Sequence, residues 1–459
     1  MPIAAVPAYL GKDFADASPG MRFGLLLPIW TNRQDQEAEV NKRAQAKSRE
    51  GDEVKDLLKQ GMDVAIRQLR QRQSRPLPGL WDKNDFAARN AWSNIRALTK
   101  ADQDRMKGIL ARQSALSKAV PVDTLFHIDA IAIAPFTTGL GNEHPLENGF
   151  AFLNPYGLPY LPGSGVKGVL RQAARELASG DWGDTHEWSK GKRFPLMEGE
   201  GEKLRPVLDK NNRPVMLAVQ DVFFGLESDD GDSAHLRGAL TFWDVIPQID
   251  GDSLMVEIMT PHQTHYYQQE AGKGMGSSNP HESGQPTPIS FLTVPPGSGF
   301  TFHVQCDLAH LRRLAPELAA DGKWKTLITD AFEHAFQWLG FGAKTAVGYG
   351  AMLSEAQRKA REAAQAERAA QRKEVARKRE EALRAEQAVR WQSARIKFNR
   401  NNGALTAEKD GKTAIALQPK GQELLTTLPT ETQKKVLANQ FVKVTAYVFA
   451  GTLVRVETP

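Results

Sequence analysis

The sequence predicts an α+β protein whose central part follows a ferredoxin-like order. Three observations carry this expectation. First, "TLFHIDAIAIAPF" alternates apolar and polar residues, the pattern of a half-buried strand. Second, a helix-patterned "GVKGVLRQAARELA" follows it, and then the strand-like "GALTFWDVIPQI", "SLMVEIMT" and "ISFLTVPPGSGFTFHVQC". Third, a helix in "LITDAFEHAFQWLG" precedes a closing strand in "KTAVGYGAMLSE". Strand, helix, strands, helix, strand is the element order of that class.

At 459 residues the chain exceeds a usual single domain. The α+β part is assigned to residues 121–354. Residues 1–120 are polar and read as a helical N-terminal appendage. There "DEVKDLLKQGMDVAIRQLRQRQ" puts Val54, Leu57, Leu58, Met62, Ile66 and Leu69 on one helical face. "TKADQDRMKGILARQSALSKAV" repeats the style, with Thr99 or Asp102 as its cap. Two long polar segments, "DTHEWSKGKRFPLMEGEGEKLRPVLDKNNRP" and "QQEAGKGMGSSNPHESGQPTP", read as extended loops.

Residues 355–399 lack glycine and proline and read as one long basic helix. Thirteen basic and seven acidic residues give it +6, against +5 for the whole chain. It is either a solvated, salt-bridged helix or one that lies along RNA or a neighbouring subunit. No apolar heptad is sustained, so a self-pairing coiled coil is not expected. Residues 400–459 read as a small β-rich module, with strands in "GKTAIALQ" and "QFVKVTAYVFAGTLVRVE" and a short helix in "TETQKKVLANQ".

A pI near 9.0 weakly permits a nucleic-acid partner. Cys306 is the single cysteine, so neither an internal disulfide nor an all-cysteine zinc site can form. The N-terminus has no signal-peptide pattern, and no apolar run approaches the roughly 18 residues of a membrane span. A cytoplasmic protein without a membrane partner is expected.

The segment richest in candidate chemistry is "TTGLGNEHPLENGFAFLNPYGLPYLPGSGVKGVLR". Its "GLG" is no dinucleotide fingerprint, because His144 stands where the third glycine is required. Its "PGSGVKGVLR" fails the phosphate-loop spacing, because Lys167 precedes Gly168. What remains is a helix N-terminus with Ser164 as a plausible cap, and Lys167 and Arg171 one turn apart on one face. Such an end can hold a backbone phosphate. Its plain alternative is a capped helix with two solvated cations. His144, between Glu143 and Glu147, is a candidate acid or base, but no serine or cysteine nucleophile motif accompanies it. Asn142 and His144 are assigned to the same backbone grip. In "TPHQTHYY", His262 and His265 lack an aspartate or cysteine to complete a metal set. With Tyr266 and Tyr267 they either make structural stacking and turn contacts or could stack on splayed bases. In "WLGFGAKTAVGYGAM", Gly340, Gly342, Gly348 and Gly350 bracket Lys344 and Thr345, with Tyr349 alongside. Such a loop can grip a sugar–phosphate backbone through main-chain N–H groups. No metal and no cofactor is expected.

"GFGAKTAVGYG" resembles the C-terminal glycine-rich loop of the RAMP superfamily, the RNA-binding proteins of CRISPR systems. "GLGNEHPLENGFAFLNPYGLPYLPGSGVKGVLR" is similar to the signature of the Cmr subunit six family of type III-B CRISPR effector complexes. "DVFFGLES", "GALTFWDVIP", "MTPHQTHYY" and "PTPISFLTVPPGSGFTF" follow in the family's order, so the resemblance spans about residues 125–352. It implies a ferredoxin-like (RRM-like) RAMP domain in an antiviral ribonucleoprotein. Its partners would be CRISPR guide RNA, gripped near the 3′ end, target RNA, and other Cmr subunits, both RAMP backbone and small subunits. The family gives target cleavage to an aspartate loop of a different subunit, and no such loop is evident here. A non-catalytic subunit is therefore expected. The alternative is a RAMP-type endoribonuclease that processes CRISPR RNA with His144 as acid or base.

Overall fold

Residues 1–358 and 359–459 form two units in the computed structural model. The structure describes residues 2–11, 13–183, 188, 193–199, 205–209, 211–226, 236–260, 266 and 288–458.

The first unit is built around a four-stranded antiparallel sheet. Its strands are β1 (Leu125–Ala132), β2 (Leu240–Phe242), β5 (Gly299–Cys306) and β6 (Met352–Ser354), in the order β6-β1-β5-β2. The alternation seen in the sequence decides which side faces in. Ala130 and Ala132 of β1 and Phe300, Phe302 and Val304 of β5 are buried, while His127 and Asp129 face out. Two helices cover the inner face. In α7 (Gly163–Ser179), Val166, Leu170, Ala173, Ala174 and Leu177 recur at three- and four-residue steps and are buried. In α10 (Lys323–His334), Trp324, Leu327, Ile328 and Ala331 do the same. Each fully buried Leu, Ile or Phe contributes about 1.5–3 kcal/mol of transfer free energy. The expected α+β content is present. Among the described residues, strands β3 (Met255–Met259) and β4 (Ile289–Thr293) pair with each other in a separate two-stranded antiparallel sheet.

The N-terminal helices belong to this unit and are not a free appendage. Phe23 of α1 (Pro19–Phe23) and Ile95 of α5 (Asp85–Arg96), with Leu27 and Leu98, enter the same core as Phe300 and Leu170. The face read from Val54 to Leu69 is split between α3 (Arg49–Gln60) and α4 (Met62–Arg70), because Gly61 at φ 121 breaks the helix. With α2 (Arg33–Ala44) they enclose a small core of their own around Val40, Val54, Ile66 and Leu69. In α6 (Lys100–Ala119) the cap is Thr99, in a capping box with Asp102. Asp102 is fully buried and also pairs with Arg22 at 3.2 Å. Arg22 spends its other donors on the carbonyls of Ala17, Asn94 and Ala97.

Helix α11 (Glu355–Glu386) is exposed, as its composition requires, but it ends thirteen residues before the expected limit at 399. Residues beyond it switch to strand β7 (Val389–Asn399). Trp391, Ile396 and Phe398 there are strand formers, and Ile396 faces a core that a solvated helix lacks.

The rest of the second unit is a closed five-stranded barrel. It contains β7, β8 (Ala404–Lys409), β9 (Lys412–Ala416), β10 (Val442–Phe449) and β11 (Thr452–Glu457), in the order β7-β8-β9-β11-β10 and back to β7. The ladder is antiparallel except between β9 and β11. Small inward residues, Ala394, Ala407, Ala414 and Ala446, fit the narrow interior beside Leu405 and Leu453. A bulge between Trp391 and Ala394, with Ser393 at φ 56, bends β7 so that it can pair on both sides. Helices α12 (Lys420–Thr426) and α13 (Thr430–Leu437) add Leu424, Leu425 and Val436 to the core. Among the described residues no helix is long and apolar enough to cross a membrane.

Candidate nucleic-acid interface

The two glycine-rich stretches meet. The loop after α10 runs through residues 340–350 and docks on residues 133–137, where the chain leaves β1. Ala343 N–H donates to the Thr137 carbonyl at 2.8 Å and Gly350 N–H to the Pro135 carbonyl at 2.8 Å, while Ile133 N–H donates to Ala351 O at 2.9 Å. Glycine is required at this seam. Gly342 has φ 90, and a β-carbon there would lie 2.2 Å from the Thr137 carbonyl oxygen. At Gly350 it would lie 1.8 Å from the Phe341 carbonyl oxygen. Gly348 differs, with φ 93 and open space around it. So Gly340, Gly342 and Gly350 close the fold, while Gly348 has open space at its α-carbon and its N–H donates to the Thr345 carbonyl at 2.9 Å.

Lys344 is half-buried, with φ 60, and its Nζ lies 5.5 Å from the centre of the Phe291 ring. Thr345 opens a short 3-10 turn beside it. Tyr349 packs against Phe291 at 5.7 Å, and its hydroxyl is pushed upward in pKa by burial and by the charge of Glu257, its hydrogen-bond partner. Asn142 is exposed in a tight turn, its N–H bonded to the Gly139 carbonyl at 3.1 Å.

Both ring nitrogens of His144 are engaged within the fold. Its ring stacks on Phe23 with centroids 3.8 Å apart. Nε2 lies 2.7 Å from the Phe23 carbonyl oxygen, and Nδ1 accepts from Leu146 N–H at 3.1 Å. The neutral ring with its proton on Nε2 satisfies both contacts, so neither nitrogen is left for a substrate proton. Burial lowers its pKa, against the opposing effect of the Phe23 bond. Its loop position hid this, because Phe23 is far away in sequence.

The N-terminus of α7 is likewise not an open phosphate site. Pro162, not Ser164, is the N-cap. Gly163 N–H donates to Asp244 Oδ1 at 2.8 Å, so a carboxylate already sits where the positive end of the helix points. Ser164 is exposed in the first turn and makes no cap bond. Arg171 donates to the carbonyls of Phe224 and Gly225, which closes the end of α8 (Val219–Phe224). Lys167 is half-buried on α7. His262, His265 and Tyr267 lie outside the described residues, and Tyr266 is 38 % exposed.

One feature escaped the sequence reading. His127 of β1 stands directly across from His303 of β5, their rings 6.3 Å apart, and Trp243 stacks on His303 at 4.9 Å. Asp129 accepts from the Thr301 hydroxyl at 2.6 Å in the next row. His127, Asp129, Thr301 and His303 line a groove of about 780 Å³ against the C-terminal part of α6. Burial, then the neighbouring His127, lowers the pKa of His303, and Asp129 opposes this. The outward alternation of His127 and Asp129 in "FHID" was the available signal. A flat aromatic row beside hydrogen-bonding groups can seat an unstacked base.

Residues 130–353 match the model of the RAMP superfamily. That match spans just under half of the chain. The chain is 26% identical over 245 residues to the CRISPR system Cmr subunit Cmr6 of Pyrococcus furiosus. That alignment covers 47% of this chain and 64% of the relative's length. Among solved structures, the type III-B Cmr-β complex bound to cognate target RNA has a similar chain at 17% identity and TM-score 0.37, covering 66% of this chain and 85% of that one. The crystal structure of Cmr6 from Pyrococcus furiosus is similar at 23% identity and TM-score 0.27, covering 51% and 99%. The RAMP segment contains both loops of the glycine seam and all strands of the first unit's main sheet except the first residues of β1 and the last of β6.

Proposed function

We propose that this chain is a non-catalytic, RNA-holding subunit of a type III-B CRISPR effector complex. The observation that carries the proposal is the seam of the RAMP domain. Two loops distant in sequence are locked together by main-chain bonds, and Asn142, Lys344 and Gly348 lie on the loops that this seam fixes. A rigid, open glycine backbone beside a cation suits close approach of a phosphodiester, and base pairing elsewhere supplies the sequence reading in RNA-guided complexes. The Trp243–His303–His127 row gives the same domain a surface on which a base can stack. The order β6-β1-β5-β2, with α7 after β1 and α10 after β5, supports a ferredoxin-like arrangement for the domain.

The non-catalytic role is supported by His144, whose two nitrogens are both engaged within the fold. Guide RNA, target RNA and neighbouring Cmr subunits are the partners that follow from this reading. The test is reconstitution with sister subunits and guide RNA. Lys344→Gln is expected to weaken guide retention about tenfold, and a melting scan of the same variant separates lost binding from the loss of its contact with Phe291. Unchanged retention would remove the loop from the interface.

A further inference from the structure

We infer that the C-terminal barrel binds single-stranded RNA through the outer face of β7 and β10. This is a second site, independent of the RAMP domain. Only the choice of RNA over DNA rests on the reading above.

The argument starts from register. Val444, Ala446 and Val448 of β10 and Ala394 and Ile396 of β7 fill the barrel, so their alternate neighbours face out. Those neighbours are Arg390, Arg395, Lys397, Lys443 and Tyr447. Arg395 stands directly opposite Lys443 on the adjacent strand. Like charges in that relation destabilise a sheet, so the fold gains nothing from the pair. Among the described residues, Arg390, Arg395, Lys397 and Lys443 have no ion pair with a carboxylate. Glu408 of β8 lies across from Arg395, and Glu457 of β11 is engaged by Arg455 and by the Tyr447 hydroxyl. Glu408 offsets this repulsion from one side without forming an ion pair with Arg395, and an anionic ligand would offset it further.

Aromatic rings flank the cations. Phe441, just before β10, is 76 % exposed, with the Arg395 guanidinium 5.7 Å from its ring centre. Tyr447 stands between Arg390 and Arg455 across three strands, with the Arg455 guanidinium 4.6 Å over its ring. Cations that follow a backbone beside rings that accept bases are the recurring device of single-strand binders. The charge is concentrated here, since residues 389–459 hold eleven basic and five acidic residues against +5 for the whole chain. By analogy of architecture, a five-stranded barrel in the order 1-2-3-5-4 with helices between the third and fourth strands is the OB-fold order, a common oligonucleotide scaffold. The analogy is secondary, because the cations here lie on the first and fourth strands.

The test uses the full chain and a fluorescently labelled 12-nucleotide oligouridine, read by anisotropy. The Arg395→Gln/Lys443→Gln variant is expected to lose at least about tenfold in affinity, and its salt slope should fall by about 1.4, at about 0.7 per phosphate on a single strand. Phe441→Ala should lose about tenfold through stacking. Lys412→Gln, at an exposed position of β9 outside the patch, should bind as wild type. Equal loss in that control, unchanged binding in the double variant, or tighter binding of duplex RNA or of the matching DNA would overturn the inference. Crosslinking of a 4-thiouridine oligomer separates the two sites even if a variant misfolds. Crosslinks at peptides holding Phe441 or Tyr447 support the barrel. Crosslinks confined to residues 1–358 overturn it and leave the RAMP reading standing.

Discussion

The two units use their basic residues in opposite ways. In the first unit several cations are drawn into the fold. Arg171 serves the end of α8, Lys344 lies over Phe291, and Arg22 is buried against Asp102. In the barrel, whose sequence looks plain, Arg395 and Lys443 face solvent side by side. A motif rich in glycine and lysine can therefore be a fold-closing device first, while an ordinary alternating strand carries the open charge.

The largest effect should come from the buried pair in the first unit. Asp102→Ala leaves Arg22 charged and unpaired and is expected to cost about 3–5 kcal/mol. By calorimetry the transition of the first unit should fall while that of the barrel stays in place, and a joint shift would break the comparison. Next is Gly342→Ala, where positive φ and a 2.2 Å approach to Thr137 O should cost about 3 kcal/mol. Gly348→Ala has only the backbone penalty, about 1–2 kcal/mol, since nothing lies near it. Equal losses at the two glycines, by denaturant titration, would show that the seam does not set the glycine requirement.

The smallest effect is a pH dependence. His144 and His303 are held below their ordinary value of 6.5, chiefly by burial. The unfolded chain then binds more protons than the folded one just below pH 6.5, so stability falls as pH drops through that range. His144→Gln should flatten this fall in the first unit's melting temperature between pH 7.5 and 5. An unchanged slope would mean that the ring is not neutral in the fold.

Much of the fold was legible because it rests on local periodicity. The alternation in β1, the three- and four-residue steps in α7 and α10, and the Thr99 cap all follow from neighbours in sequence. The end of α11 was missed because a run of Ala, Arg and Glu gives no signal of where a strand takes over, and Trp391 and Ile396 acquire a reason only from the barrel core. The site was less legible. That the two glycine loops touch, that Asp244 occupies the α7 terminus, and that Phe23 holds His144 are contacts between distant segments. His144 and Arg171 therefore read as ligand groups in sequence and act as fold contacts in space, and Ser164 is exposed without a cap bond.

The most direct test of the account is affinity purification of the assembled complex through this chain, with sequencing of its RNA and a cleavage assay on labelled repeat RNA. The account predicts that uniform CRISPR guide RNAs and sister Cmr subunits copurify and that this chain alone leaves the RNA intact. Absence of guide RNA and sister subunits, or cleavage by the purified chain that His144→Ala abolishes, would contradict it.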